Sequence, residues 1–341
     1  MATIYDVSKE TGYSIATVSK VINGYKGVNA KTKVIIEKKI KELGFTPNST
    51  ARTLATKKSW MIAIIYDEED GMGIMHPHYS HIIQGFKKEA GNHGYDILFI
   101  NNFLGERRMS FLEHCKYRNV DGVLIALDNP YTDLIVDILA DDIPRVSIET
   151  IYNNTAAVLS DYTMGATQAL SHLYMLGHKK IACISGPLES LAGTERYSGY
   201  EKFMLNNGLE INPKHCVIAA KYSRTAGIEA VNTLLQQCWN DMPTAIYAAH
   251  DDYAYAACEV LMQRGFHIPE DISIVGSDDL PITAYASPGI TSVRQNRNEI
   301  GLKAARVLTD LMEGRTLEQQ IIRIPTKLIV RQTTFRNTHQ E

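Results

Sequence analysis

Apolar and polar positions along the chain follow two different rhythms. Over the first forty-four residues the apolar positions recur at helical spacing. Thr3-Ile4-Tyr5-Asp6 has the form of a capping box, and a short helix should follow to about Thr11. Gly12-Tyr13-Ser14 breaks it, and Ser14 is placed to cap a second helix over Ile15–Asn23. Val7, Val18, Val21 and Ile22 supply contacts between the two. A third helix is predicted over Ala30–Leu43, stopping at Gly44, with Val34, Ile35, Ile40 and Leu43 as its apolar stripe. From Trp60 onward, short β-branched runs alternate with helical stretches. Strands are predicted at 61–66, 96–100, 122–127, 145–148, 180–185, 217–220, 245–249 and 272–275, with helices between them such as 79–93, 164–177 and 251–265. Such alternation means parallel sheets covered by helices on both faces. About 280 residues exceed one such sheet, so two lobes are expected.

Composition narrows the class. The chain has 341 residues, 45% of them hydrophobic and 21% charged, which suits a folded globular protein. The longest clean apolar run, Met61–Tyr66, is far short of the roughly 18 residues of a membrane helix. No basic segment followed by an apolar stretch opens the sequence, so no secretory signal is expected. The five cysteines are scattered and form no C-x-x-C, which fits a reducing cytoplasm and argues against zinc. The net charge of −3 hides a division: residues 1–60 carry +7 and the remainder −10. A basic head on an acidic body points to a polyanion-binding module.

Helix, glycine-containing turn, helix is the helix-turn-helix arrangement, whose second helix enters the major groove of DNA. That placement turns Ile15, Ala16 and Lys20 toward base edges. Ser14, Thr17, Ser19 and Asn23 are short polar groups suited to phosphates, and Tyr5 can add another. A three-helix core without a ligand is the alternative, which the basic balance disfavours. The segments IYDVSKETGYSIATVSKVING and VNAKTKVIIEKKIKELGFTPNSTARTLATKKS resemble the head of the lactose-repressor/galactose-repressor (LacI/GalR) family of bacterial transcription regulators. The family usually has Arg at the position of Lys20, which gives up the bidentate fork to guanine and alters the operator expected. The resemblance implies that 47–59 is a hinge helix folding on DNA. Leu54 would wedge between central base pairs, and Asn48, Arg52 and Ala55 would lie beside it.

The body resembles the effector-binding core of the same family, itself similar to periplasmic sugar-binding proteins. GHKKIACISGP at 177–187, RYSGYEKFM at 196–204, AHDDYAYAACEVLMQRGFHIPEDISIVGSDD at 249–279 and ITSVRQ at 290–295 carry the likeness. The fold expected is an N-terminal helix-turn-helix head at 1–46 plus an α/β core at 60–341 of two doubly wound lobes. The N-lobe would comprise 60–160 and 292–322, the C-lobe 161–291 and 323–335. Ligands of open parallel sheets bind at the carboxyl ends of strands, here a cleft between lobes. Sugars are gripped by charged groups that chelate hydroxyls and by aromatic faces. The resemblance puts Arg196, Asp278, Asp161, Tyr222, His250 and Glu149 at such positions. Arg196 and Asp278 could instead be a structural ion pair. The loop after the first strand is longer than the family pattern, with Tyr79 at its end and His78 where phenylalanine is common. Arg297 replaces a usually apolar or aromatic residue. A polar, cationic wall of His78 and Arg297 suggests a sugar phosphate or sugar acid beside plain sugars.

His76, His78 and His81 follow no standard zinc spacing, Gly71-Met72-Gly73 lacks the rest of a dinucleotide fingerprint, and no nucleophile–base motif appears. No cofactor, metal or enzymatic activity is expected. A transporter's solute-capture protein would need a signal peptide and no head. The sequence therefore favours a regulator, expected to be a repressor, that binds a palindromic operator as a homodimer under control of a small molecule. A purine corepressor is the alternative ligand.

Overall fold

Thr3 opens the head by closing its capping box: Thr3 Oγ1 accepts from the Asp6 amide at 3.3 Å, and the Asp6 carboxylate accepts from the Thr3 amide at 2.8 Å. The computed structural model describes residues 2–25, 27–46, 53, 58–67, 75–127 and 133–337. The chain divides into two units, a head unit of Met1–Met61 with Asn119–Asp121 and a core unit of Ile62–Arg118 with Gly122 onward. The head holds α1 (Ile4–Thr11), α2 (Ile15–Ile22) and α3 (Ala30–Leu43). Gly12 ends α1 in the left-handed region at φ 72°, where glycine carries no steric penalty. Val7, Val18, Val21 and Ile36 form the small core, with Ile40 and Leu43 against it. The stripe on α3 therefore differs from the one expected. Val34 is 64% and Ile35 47% exposed, whereas Ile36 is wholly buried. Ile36, Ile40 and Leu43, at i, i+4 and i+7, share one face, and Val34 and Ile35 lie round the helix from it.

The core contains two six-stranded sheets. The first has the order β13-β7-β6-β5-β1-β2, formed by β1 (Met61–Asp67), β2 (Asp96–Ile100), β5 (Gly122–Leu127), β6 (Arg145–Ile148), β7 (Ala156–Ser160) and β13 (Ile321–Ile324). The second has the order β14-β12-β11-β10-β8-β9. Its strands are β8 (Ile181–Ser185), β9 (Cys216–Ile218), β10 (Ala245–Ala248), β11 (Ser273–Asp278), β12 (Thr291–Arg294) and β14 (Lys327–Ile329). Strands β3 (Phe103–Leu104) and β4 (Arg107–Arg108) form a hairpin apart. Pairings are parallel from β5 through β6 and β7 to β13, and from β9 through β8, β10 and β11 to β12; β14 is antiparallel to β12. Every residue of β5, β7, β8, β10 and β11 is buried. That is the pattern of parallel strands covered on both faces, and it explains their continuous apolar runs.

Helices α4 (Pro77–Asn92), α5 (Phe111–Arg118), α6 (Val136–Ala140) and α12 (Arg297–Met312) belong to the first lobe. Helices α7 (Tyr162–Met175), α8 (Leu191–Asn206), α9 (Arg224–Cys238), α10 (Asp251–Gln263) and α11 (Pro281–Tyr285) belong to the second. The chain crosses between lobes three times. The first crossing follows Ser160, the last residue of β7. The second follows Arg294 and not residue 291, because β12 pairs with β11 and β14 in the second sheet. The third follows Ile324 and not residue 322, because β13 pairs with β7 over its whole length. Among the described residues, no helix is long and apolar enough to cross a membrane.

Candidate functional site

The head exposes a small polar face. Ser14 caps α2 by accepting from the Thr17 amide at 3.2 Å, and its hydroxyl lies 2.9 Å from Thr17 Oγ1. Ile15, Ala16 and Lys20 are exposed on α2, and Tyr5 on α1 is 69% exposed. Thr17, Ser19 and Asn23 are half-buried; Asn23 Nδ2 donates back to the Ser19 carbonyl at 2.9 Å and closes the helix. Asn48, Arg52, Leu54 and Ala55 lie outside the described residues.

In the core, a cavity partly open to solvent lies between the lobes. His76, His78, Tyr79, Glu149 and Thr150 line it from the first lobe. Tyr162, Ser190, Leu191, Ala192, Arg196, Tyr222, His250, Asp278 and Leu280 line it from the second, with Gln295 from the second crossing. Asp278, at the end of β11, is the hub. Arg196 Nη2 donates to Asp278 Oδ1 at 2.6 Å, and Gln295 Nε2 donates to the same oxygen. His250 Nε2 lies 3.3 Å from Oδ2. Arg196 also donates to the Ala249 carbonyl, and its guanidinium lies over the Tyr162 ring at 5.0 Å. Tyr222 forms a wall, with its hydroxyl 2.7 Å from Ser190 Oγ and its ring stacked on Tyr253 at 11°.

The polar groups continue through the crossings. Ser160 Oγ donates to Gln295 Oε1, and the Ser160 amide donates to Glu149 Oε1 at 3.2 Å. His78 Nε2 lies 3.8 Å from Glu149 Oε2. Arg297 Nε donates to His78 Nδ1 at 3.3 Å, and Arg297 Nη2 donates to the Asp278 carbonyl. Both strand-end carboxylates sit on strained backbone, Glu149 at φ 60° and Asp278 at φ 110°. A non-glycine residue there costs about 1–3 kcal/mol, which marks a functional site more often than a scaffold.

Burial alone would raise the Asp278 carboxyl, but Arg196, then His250, His78 and Arg297, hold it well below the ordinary range. Burial pushes His78 well below its usual value, helped by Arg297, and lowers His250 against the pull of Asp278. Both imidazoles are therefore neutral at pH 7. Two guanidiniums and two carboxylates remain, and their formal charges cancel. Behind them Asp251 is fully buried and pushed well up by burial and by Asp278. It accepts from the Leu280 amide and from Ser292 Oγ, both at 2.6 Å, and so fixes the segment after β11.

Seven of the nine expected core residues line the cavity: His78, Tyr79, Glu149, Arg196, Tyr222, His250 and Asp278. Arg196 and Asp278 form an ion pair within the second lobe and also face the cavity. Two of the expected residues do not line it. Asp161 caps α7, its carboxylate accepting from the Met164 amide at 2.9 Å. Arg297 does not line the cavity; it stands behind His78, with Nε on His78 Nδ1 and Nη2 on the Asp278 carbonyl. Residue-by-residue reasoning missed His76, Thr150, Tyr162, Ser190, Leu191, Ala192, Leu280 and Gln295. The rule that ligands meet strand ends could have singled out Thr150 after β6 and Ser190 after β8.

The profile for bacterial regulatory proteins of the lacI family matches residues 3–48, and that for a periplasmic binding protein-like domain matches 170–334. Catabolite control protein A of Priestia megaterium is 31% identical over 337 residues, covering 97% of this chain and 99% of that protein. The HTH-type transcriptional repressor PurR of Pasteurella multocida (strain Pm70) is 30% identical, covering 98% of each. Among solved structures, the lac repressor dimer bound to operator and the anti-inducer ONPF is 25% identical with a TM-score of 0.80, covering 98% of this chain and 99% of that one. The complex of the transcriptional regulator CelR with cellobiose is 28% identical with a TM-score of 0.69, covering 98% and 100%. A head with an exposed polar helix face, a two-lobed core and relatives matched end to end agree: the chain belongs to the LacI family of DNA-binding transcriptional regulators.

Proposed function

We propose that this regulator is a repressor that grips a palindromic operator as a homodimer and is controlled by a small uncharged sugar bound between its lobes. One α2 helix spans only a few base pairs, so two half-sites about one helical turn apart are needed for affinity. Lys20, Ile15 and Ala16 read bases, while Tyr5, Ser14, Thr17, Ser19 and Asn23 hold phosphates. The hinge residues Asn48, Arg52, Leu54 and Ala55 pair with their symmetry mates at the operator centre.

The observation that carries the sugar reading is the cavity lining. Asp278, Arg196, Glu149 and Gln295 are hydroxyl-chelating groups, and Tyr79, Tyr162 and Tyr222 offer aromatic faces. The lining holds the carboxylates of Asp278 and Glu149 and one guanidinium, Arg196, with Arg297 behind the wall; it offers no excess of cations, which favours an uncharged sugar over a sugar phosphate or sugar acid. The CelR relative complexed with cellobiose accords with this. The second arm is a purine acting as corepressor, since Arg196, Tyr222 and Asp278 would also suit a base. A ligand touching both lobes shifts them only by its difference in affinity for their two arrangements. Coupling of about 1–3 kcal/mol corresponds to a 5–150-fold change in operator affinity.

The test is a thermal-shift screen with sugars, sugar phosphates, sugar acids and purines, followed by operator gel shifts. A true effector at one hundred times its dissociation constant adds about 2.7 kcal/mol. Arg196→Ala should abolish the effector response and leave effector-free operator binding intact. A variant that still responds normally would remove the effector from this cavity.

A further inference from the structure

Two departures from the family pattern, distant in sequence, touch each other in space. Arg297 Nε donates to His78 Nδ1 across 219 positions of chain. The same guanidinium reaches the second lobe, where Nη2 donates to the Asp278 carbonyl. His78 faces the cavity; Arg297 is 9% exposed and does not. We infer that Arg297 is a positioning residue of the effector site, fixing which nitrogen of His78 bears the proton and tying that ring to the strand end that carries Asp278. The inference rests on the cavity being the effector site.

The chemistry leaves one choice. A guanidinium has only donors and does not lose its proton in proteins. His78 Nδ1 must therefore offer its lone pair, and a neutral ring then carries its proton on Nε2. Nε2 lies 3.8 Å from Glu149 Oε2. The ring plane is held by an edge contact with Tyr79 at 5.1 Å and 89°, while the His78 amide donates to His76 Nδ1 at 3.2 Å. The groups facing His78 are Arg297 from α12, Asp278 from β11, Glu149 from β6, Arg196 from α8, and His76 and Tyr79 beside it. Burial and the Arg297 charge keep the ring neutral against the pull of Asp278. Arg297 thus has two effects, one on the tautomer and one on the charge. Two of its N–H groups are held, one by His78 and one by the Asp278 carbonyl, so Arg297 is fixed behind the ring that faces the cavity.

The test is nitrogen NMR on full-length protein labelled at histidine, with His78 signals assigned by their loss in His78→Asn. It uses no effector, so its outcome is separate from whether a sugar binds. Wild-type His78 should show the neutral form protonated at Nε2 at pH 7. Arg297→Met should give mixed tautomers and a titration moved up toward 6.5. Arg297→Lys keeps the charge but loses the fork, so the ring should stay neutral while its tautomer preference weakens. A wild-type ring protonated at Nδ1, or one titrating near 6.5, overturns the inference without any variant. So does an Arg297→Met protein whose His78 signals match the wild type.

Discussion

Arg196 and Asp278 provide the sharpest quantitative test of the core. Their side chains are each 6% exposed and meet at 2.6 Å. Removing one partner of a buried pair leaves the other charge uncompensated, at about 3–5 kcal/mol. Asp278→Asn or Arg196→Gln alone should therefore lower the melting temperature by roughly 6–20 °C, at about 2–4 °C per kcal/mol for a domain of this size. The double variant leaves two neutral amides that can still hydrogen-bond. Its loss should fall well short of the sum of the single losses, with a coupling energy of at least about 2 kcal/mol. Gln295 and His250 remain as partners of position 278 in every arm, so the cycle isolates the arginine. The assay is reversible denaturant unfolding of the full chain at pH 7, followed by circular dichroism. Additive single losses, each under about 1 kcal/mol, would match a solvated pair and refute the buried arrangement.

Three further outcomes are expected. Lys20→Ala should weaken binding to cognate operator more than to random DNA; equal losses by fluorescence anisotropy would move Lys20 to the phosphate-contacting set. Because His78 and His250 titrate below 6.5 when folded, the unfolded chain takes up their protons first, so stability is complete above 6.5 and falls as pH drops through it. Each contributes up to about 1.4 kcal/mol per pH unit, and His78→Asn with His250→Asn should flatten the slope of stability between pH 6.5 and the folded values; an unchanged slope would show that neither ring is held neutral. Gly276→Ala would set a methyl group 2.3 Å from Asp251 Oδ1, so it should cost about 1–3 kcal/mol by overpacking and weaken the effector response by moving Asp278, whereas a wild-type melting temperature would show that the Asp251 bracket yields freely.

Local signals in the sequence determined the head. The Thr3–Asp6 box, the Gly12 stop and the Ser14 cap act over a few residues, so their spacing sufficed. Buried parallel strands were legible for a similar reason, since covering both faces leaves long β-branched runs such as Gly122–Leu127. The sequence also singled out Arg196 and Asp278. Tertiary structure alone decided which sheet each late strand joins, because β12 and β13 are selected by partners far along the chain. It turned Ile36 inward and Val34 and Ile35 outward, a rotation that a lysine-rich helix with three successive apolar residues leaves open. It also made Asp161 a helix cap and set Arg297 behind His78. A residue type announces which chemistry is possible, but charge in a buried site depends on what each group already touches. Arg297 read alone is a cation awaiting an anion; bonded to His78 and to the Asp278 carbonyl, it is a support behind the wall.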